Sequence, residues 1–452
     1  MHILKGYTKQ EISWMMYDWA NSAHSVIIVT LLPIFFDTVA GYTADSVSSM
    51  STWGYATSIA MLIVALAAPF LGVFGDIRGM RKKLFSFFML LGVAACAGMA
   101  FTPGMDFTSG PVAAGKVASL ILVLYIVSVI GFDASAIYYD AFLTDVTIED
   151  RMDKVSTMGY GLGYIGGSTI PLLIFLIMNL VGVPMLTCLA FVFGLTAVWW
   201  LAFSLPLLKN CEQTSGKPYE KGDVARSIKG VGTTIKEIIA NKPMLIYILS
   251  YFFYIDGVHT VISMATTYGT NLGLDSTGMM LALLLVQILG LPFCLLYIKC
   301  SEKFGARTMV GFGICVYMFI CIFAFFMNSL WQFWVLAVLC ATSQGGIQAL
   351  SRSMYGKLIP DKDRSGEFFG FFDIFGKFSS IMGPALVGVV SSVVANGMLG
   401  AQGLTAQTAT AEQINAINAQ SSHYGILSII IIIIVGAVLY FGFLPKAEHA
   451  KQ

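Results

Sequence analysis

Charge is what this 452-residue sequence has least of. Asp, Glu, Lys and Arg together make up 11% of it, against about 25% in an average soluble chain. The net charge of +1 says nothing about nucleic acid, but no basic run is interleaved with aromatics, so no nucleic-acid partner is expected. The 8 cysteines are scattered singly, mostly inside apolar runs, with no CxxC pair. Neither a metal centre nor a disulfide framework is indicated. A GxxxxGK[ST] loop is missing, so the chain does not couple directly to ATP. HExxH and a Ser/His/Asp constellation are missing too, so no enzyme and no cofactor is expected. No small-residue cleavage site closes the first apolar run, which reads as a signal anchor rather than a cleavable leader.

What fills the sequence instead is hydrophobic residues, 57% of the total. They fall into twelve runs: 13–36, 52–75, 84–103, 117–143, 156–181, 184–207, 243–268, 277–299, 308–328, 331–355, 367–395 and 424–444. Each approaches or exceeds the roughly 20 residues a spanning helix needs. The first run carries Asp18, Asn21 and His24 at three-residue spacing, which puts them on one stripe of a helix. A carboxylate facing lipid costs several kcal/mol, so that stripe is expected to face protein or water, as in a transporter helix.

Of the 26 Lys and Arg residues, all but Lys116 and the intramembrane Lys377 fall on one side if the runs alternate across a membrane. That asymmetry predicts an integral inner (plasma) membrane protein with both termini cytoplasmic and an even number of spans. The longest connection on that side, 208–242, is polar and divides the chain into halves, 1–207 and 243–452. The outer stretch 396–422 is rich in Ala, Gln and Thr and reads as a flexible loop or a short surface helix. The halves repeat. Asp150-Arg151 before the fifth run matches Asp363-Arg364 before the eleventh, and at the same offset Gly163 matches Gly376 and Pro171 matches Pro384. GDIRGMRKKL (75–84) likewise resembles SEKFGARTMV (301–310), pairing Gly79 with Gly305 and Arg81 with Arg307. The fold class expected is all-α and polytopic, twelve transmembrane helices in two six-helix halves related by an axis along the membrane normal.

Gly72-Val73-Phe74-Gly75-Asp76-Ile77-Arg78-Gly79-Met80-Arg81-Lys82-Lys83-Leu84 resembles the loop 2–3 signature of the major facilitator superfamily, departing from it at Phe74, Gly75, Ile77 and Met80. Asp76 at a helix end can contact a neighbouring helix N-terminus, a contact that would latch the outward-open state. A narrower set is similar to the vacuole-effluxer-like family within that superfamily. It comprises YDWANSA (17–23), YDAFL (139–143), GYGLGYIGG (159–167) and QGGIQALSRS (344–353). The resemblance implies the major facilitator fold with cavity-lining helices 1, 4, 7 and 10. Fungal members are associated with amino-acid efflux from the vacuole.

The intramembrane polar residues are the candidate site. Asp133 and Asp140 are seven apart on the fourth span, and Asp256 and His259 three apart on the seventh. Gln344, Gln348 and Arg352 recur every four residues on the tenth, and Asp373 and Lys377 are four apart on the eleventh. His24, Asp133, Asp256, His259 and Lys377 fall near mid-bilayer; Asp18, Asp140, Arg352 and Asp373 lie nearer the cytoplasm. Substrate or proton binding is expected from Asp18, Asn21, His24, Asp133, Asp140, Tyr160, Tyr164, Asp256, His259, Gln344, Gln348 and Lys377. Gating is expected from Asp76, Arg78, Arg81, Arg151, Arg352 and Asp373. Bland readings stand beside these. Asp18 and Asp140 could pair with Arg352 or Arg151, Asp373 with Lys377, and His24 could be a packing residue; the glycines of 159–167 read as a close-packing surface. The expectation is a secondary active transporter of a small zwitterion of the amino-acid type, proton-coupled, working by alternating access as a monomer in the bilayer. A sugar or amphipathic-drug transporter and a non-transporting sensor are the other readings.

Overall fold

The structure is a computed structural model; residues 4–43, 49–218, 223–405 and 408–445 are described. Twelve of its helices are long and apolar enough to cross a membrane. Large apolar side chains on these helices stay exposed, among them Leu66, Val123, Val198, Phe312 and Ile431, the surface a bilayer would cover. Contacts divide the chain into two compact units, Met1–Thr234 with Ile359–Ile374, and Ile235–Leu358 with Phe375–Gln452. Of the basic residues that set the expected orientation, Lys221, Lys446 and Lys451 lie outside the described residues.

The first unit is built from α1 (Lys9–Ala40), α2 (Ser49–Gly75), α3 (Arg81–Met99), α4 (Pro111–Val146), α5 (Glu149–Gly163), α6 (Ile170–Leu180) and α7 (Met185–Asn210). Thr8 and Glu11 form a reciprocal capping box at the start of α1, satisfying amides that have no partner inside the helix. α5 passes into α6 through a π-helical turn, Tyr164–Thr169. Glycines bring this stretch onto α1. A Cβ on Gly159 would sit 2.4 Å from an Asp18 oxygen, on Gly163 2.6 Å from Ser22 Oγ, on Gly166 2.0 Å from the Trp19 ring, and on Gly167 2.5 Å from Trp19 O. The glycine run is a packing surface. α3 and α4 cross as closely, at Gly92 and Gly131.

The second unit holds α9 (Lys242–Asn271), α10 (Ser276–Phe304), α11 (Ala306–Phe325), α12 (Leu330–Leu358) and α14 (Ala411–Val438), which ends in a π-helical turn, Leu439–Phe443. α13 (Ser365–Ala401) gives its first ten residues to the first unit and the rest to this one. Gly257 packs on Ile433 and Gly436 on Tyr254, which brings α9 and α14 together, and Ser250 Oγ donates to Gly436 O at 2.8 Å.

The matched turns of the two halves share one backbone feature. Gly79 and Gly305, with φ of +79° and +82°, lie just before α3 and α11, in the left-handed region only glycine enters at little cost. Their arginines diverge: Arg81 is buried in a polar cluster, whereas Arg307 donates to the carbonyls of Leu444 and Pro445.

Two connections differ from the sequence reading. The 396–422 stretch is mostly helical, since α13 runs to Ala401 and α14 starts at Ala411, opened by a Thr410–Gln413 capping box. The central connection contains α8 (Asp223–Ala240). Val224, Ile228, Val231, Ile235, Ile238 and Ile239 recur every three or four residues there, an amphipathic period hidden by the charges between them.

Candidate functional site

In the first unit the α2–α3 loop closes on the start of α13. Gly366 meets Gly72, and Gly370 meets Ala68, backbone to backbone, so α2 and α13 cross without side chains between them. At that crossing Asp76 Oδ1 accepts the Gly366 amide at 2.7 Å and Oδ2 the Glu367 amide at 2.8 Å. First-turn amides lack partners within their own helix, and the helix N-terminus favours negative charge. Arg81, with no exposed surface, links both elements: Nη2 reaches Asp76 Oδ1 and Ser365 Oγ, each at 2.9 Å. Its Nη1 donates to Asp145 Oδ2 at 2.5 Å, Ala141 O at 3.2 Å and Ser215 Oγ at 3.2 Å. Burial pushes the Asp76 carboxyl up to about 7, against the pull of Arg81 and the two amides; the guanidinium is divided between two carboxylates.

A strap formed by Cys211–Lys217 ties this cluster from outside the motif. Gln213 Oε1 accepts from the Gly79 and Arg81 amides, and Nε2 donates to Gly75 O. Asp145 Oδ1 takes the amides and hydroxyls of Thr214 and Ser215. The Gly216 amide donates to Asp363 Oδ1, and Lys217 pairs with the Asp76 carbonyl and Arg78 amide. On α8, Thr234 takes a hydrogen bond from Arg364 and gives one to Glu367.

The residues expected to gate therefore separate. Asp76 and Arg81 form the cluster. Arg78 is exposed. Arg151 does not pair with Asp18 or Asp140: its Nε and Nη2 take the two oxygens of Glu11, each at 2.7 Å, and Nη2 also donates to Gly6 O. Glu11, at the N-terminus of α1, satisfies that guanidinium first. Asp145, Gln213, Ser365, Thr234 and Glu367 belong to the cluster and carry no motif of their own.

The polar stripe of α1 is buried. Asp18 Oδ2 accepts the Tyr139 hydroxyl at 2.7 Å, and Tyr139 stacks on Trp14 at 4.4 Å. Asn21 is buried beside it. His24 is 1% exposed and stacks on Phe132 at 4.7 Å. Its Nε2 lies 3.2 Å from Ser128 Oγ. Ser128 gives its proton to Tyr125 O, so Nε2 is the donor of that pair, and Nδ1 is buried with no hydrogen-bond partner among the described residues. Its setting is that of a packing residue. Asp133 is buried on α4; Asp140, Tyr160 and Tyr164 are half-buried, Tyr164 opening the π-turn, and Asp373 is half-buried on α13.

In the second unit Asp256 is fully buried. Its Oδ1 accepts the Gly383 amide at 2.9 Å and the Thr260 hydroxyl at 3.3 Å. The amide comes from the residue before Pro384, where the α13 ladder loses a donor. Asp256 Oδ2 is buried with no hydrogen-bond partner among the described residues. One turn on, His259 Nδ1 lies 3.5 Å from Ser379 Oγ, which donates to Gly376 O; Lys377 is half-buried nearby on α13. Gln348 Nε2 donates to Gln344 O, and Arg352 on the same helix is buried. Gln344 lines a mainly apolar cavity of about 90 Å³ with Tyr268, Gln287 and Cys340.

Among solved structures, the xylose-proton symporter XylE of the major facilitator superfamily superposes with a TM-score of 0.69 at 13% identity, over 97% of this chain and 95% of that one. The transporter FucP, in its outward conformation, superposes with a TM-score of 0.62 at 12% identity, over 96% and 98%. In sequence, the MFS-type transporter YxiO of Bacillus subtilis is 40% identical, covering 98% of this chain and 96% of YxiO. Autophagy-related protein 22-1 of Penicillium rubens is 25% identical over 55% of this chain and 46% of its own length. The family model described as vacuole effluxer Atg22 like matches residues 41–397. The chain thus belongs to the vacuole effluxer Atg22-like family and is a transporter of the major facilitator superfamily, not an enzyme.

Proposed function

We propose that this transporter moves a small zwitterion of the amino-acid type across the plasma membrane by alternating access, coupled to protons through Asp256, with both termini cytoplasmic. The observation that carries the coupling is the division of labour on that carboxyl: Oδ1 is held by Gly383 and Thr260, and Oδ2 is buried with no hydrogen-bond partner among the described residues. A buried charge without full compensation is costly, and taking up a proton removes the cost. The same proton weakens the hold on the Gly383 amide beside Pro384, so loading Asp256 and bending α13 are one event. The Asp76 cluster holds the start of α13 against α2 and serves as the inner latch of the outward-facing state. The zwitterion reading rests on the charges placed within spans: a cation, Lys377, and the carboxylates Asp133 and Asp256. Such charges are expensive in lipid and mark binding sites.

The test is transport by purified protein in proteoliposomes against a panel of amino acids, sugars and amphipathic drugs. Asp256→Asn is expected to abolish uptake driven by a pH gradient while leaving counterflow exchange intact. Loss of both, in protein that stays folded, would place Asp256 in substrate binding rather than in proton coupling. Counterflow of sugars or drugs alone would overturn the substrate class.

A further inference from the structure

α8 in the central connection presents two different edges. Val231, Thr234 and Ile238 are buried at 9%, 0% and 6% exposure, whereas Ile235 and Ile239 are exposed at 44% and 56%. At about 100° per residue, Ile235 and Ile239 lie between that buried edge and Lys236, which is exposed. In the sequence a second lysine, Lys229, precedes Lys236 by seven residues, two helical turns. The helix ends at Ala240, and Asn241 caps α9, whose spanning helix begins at Lys242. The exposed isoleucines therefore sit a few residues from the point where the chain enters the bilayer. An apolar stripe bordered by a lysine, at that depth, matches a helix lying in the lipid interface, apolar side down with the ammonium group reaching headgroups.

We propose that the Ile235–Ile239 edge of α8, with Lys236, docks on anionic phospholipid headgroups at the membrane face where α9 begins. Charge complementarity selects anionic over neutral lipid. The docking reaches the transport machinery through the other edge, where Thr234 is bonded to Arg364 and Glu367 at the start of α13. The Glu367 amide is one of the two that Asp76 holds. Lipid charge is thereby connected to the latch.

The experiment uses the full chain with Cys315, the exposed native thiol, replaced by Ser, and a fluorophore on Ile239→Cys. The protein is placed in nanodiscs of phosphatidylcholine, alone or mixed equally with phosphatidylglycerol. Quenching by headgroup-proximal doxyl lipid should rise about twofold in the anionic discs, and iodide quenching should fall. Both changes should vanish with Lys229→Glu/Lys236→Glu and at about 1 M salt, where screening acts within a few ångströms. Circular dichroism of the double variant confirms the fold. Strong iodide quenching in both disc types, placing the helix in water, overturns the proposal. So does shielding that is equal in both and survives the charge reversal, which would mean a protein surface covers the edge.

Discussion

Arg81 and Asp145 meet at 2.5 Å with neither side chain exposed. They come from the start of α3 and the end of α4, and the pair is completed by hydroxyls and amides of a connection nearly 70 residues further on. Buried pairs are retained when their remaining hydrogen-bond capacity is filled, and removing one partner strands the other charge. Asp145→Ala is therefore expected to cost about 3–5 kcal/mol, seen as a large fall in melting temperature in detergent. Arg81→Met/Asp145→Leu/Asp76→Asn, which leaves no stranded charge in the cluster, should recover part of it. A triple variant as unstable as Asp145→Ala would show that the strap, not the ion pairs, carries the stability.

Asp76 gives a pH dependence of unusual sign. Its carboxyl titrates at about 7 in the fold, raised from 3.8 by burial and by the Glu367 charge, with Arg81 and two amides pulling the other way. The folded protein thus holds this proton where an unfolded chain has released it. Its contribution to stability is full below about 4, declines as pH rises, and is gone above about 7. The latch runs opposite, because only the ionised carboxylate accepts with both oxygens. Between pH 6 and 8 the melting temperature of the wild type should fall relative to Asp76→Asn, and any latch-limited transport rate should slow with rising pH only in the wild type. Identical slopes in the two proteins would remove Asp76 as the titrating group.

The sequence made the spans legible because hydropathy over about 20 residues is a strong local signal. It made Asp76 and Arg81 legible because a helix-end carboxylate and a basic turn five residues apart form a recognisable pattern. It did not reveal their partners. Asp145, Gln213 and Ser365 are ordinary polar residues brought in by folding from 64 to 284 residues away, and no period marks them. Glu11, which holds Arg151, escapes notice for a related reason: it sits before the apolar run, where a charge is unremarkable. The amphipathic period of α8 was present in the sequence but outweighed by its charges.

Gly166 sets how closely the π-turn lies on α1. A Cβ there would stand 2.0 Å from the Trp19 ring, which also stacks with Trp199. Gly166→Ala should cost about 1–3 kcal/mol through overpacking, and Trp19→Leu should restore part of it by making room. Gly115→Ala, with open space around it, is the neutral control. Thermal unfolding of the four proteins decides it; a Gly166→Ala protein as stable as wild type would mean the turn shifts without strain.

The substrate reading stands or falls on Lys377. If the substrate is a zwitterion, its carboxylate answers the ammonium of Lys377 and its ammonium answers Asp133 or Asp256, so the bound solute enters the charge balance of the spans. Lys377→Met and Asp133→Asn should then each abolish binding in protein that remains folded. The double variant should bind no worse than the worse single one, since each single change leaves an opposing charge uncompensated. Neutral sugars and uncharged drugs offer neither charge and should be indifferent to that pairing. Affinity measured by calorimetry on the purified wild type and the three variants separates the cases. Normal binding by Lys377→Met would assign Lys377 to the helix itself, as the partner of Asp373 one turn earlier, and the zwitterion would go with it.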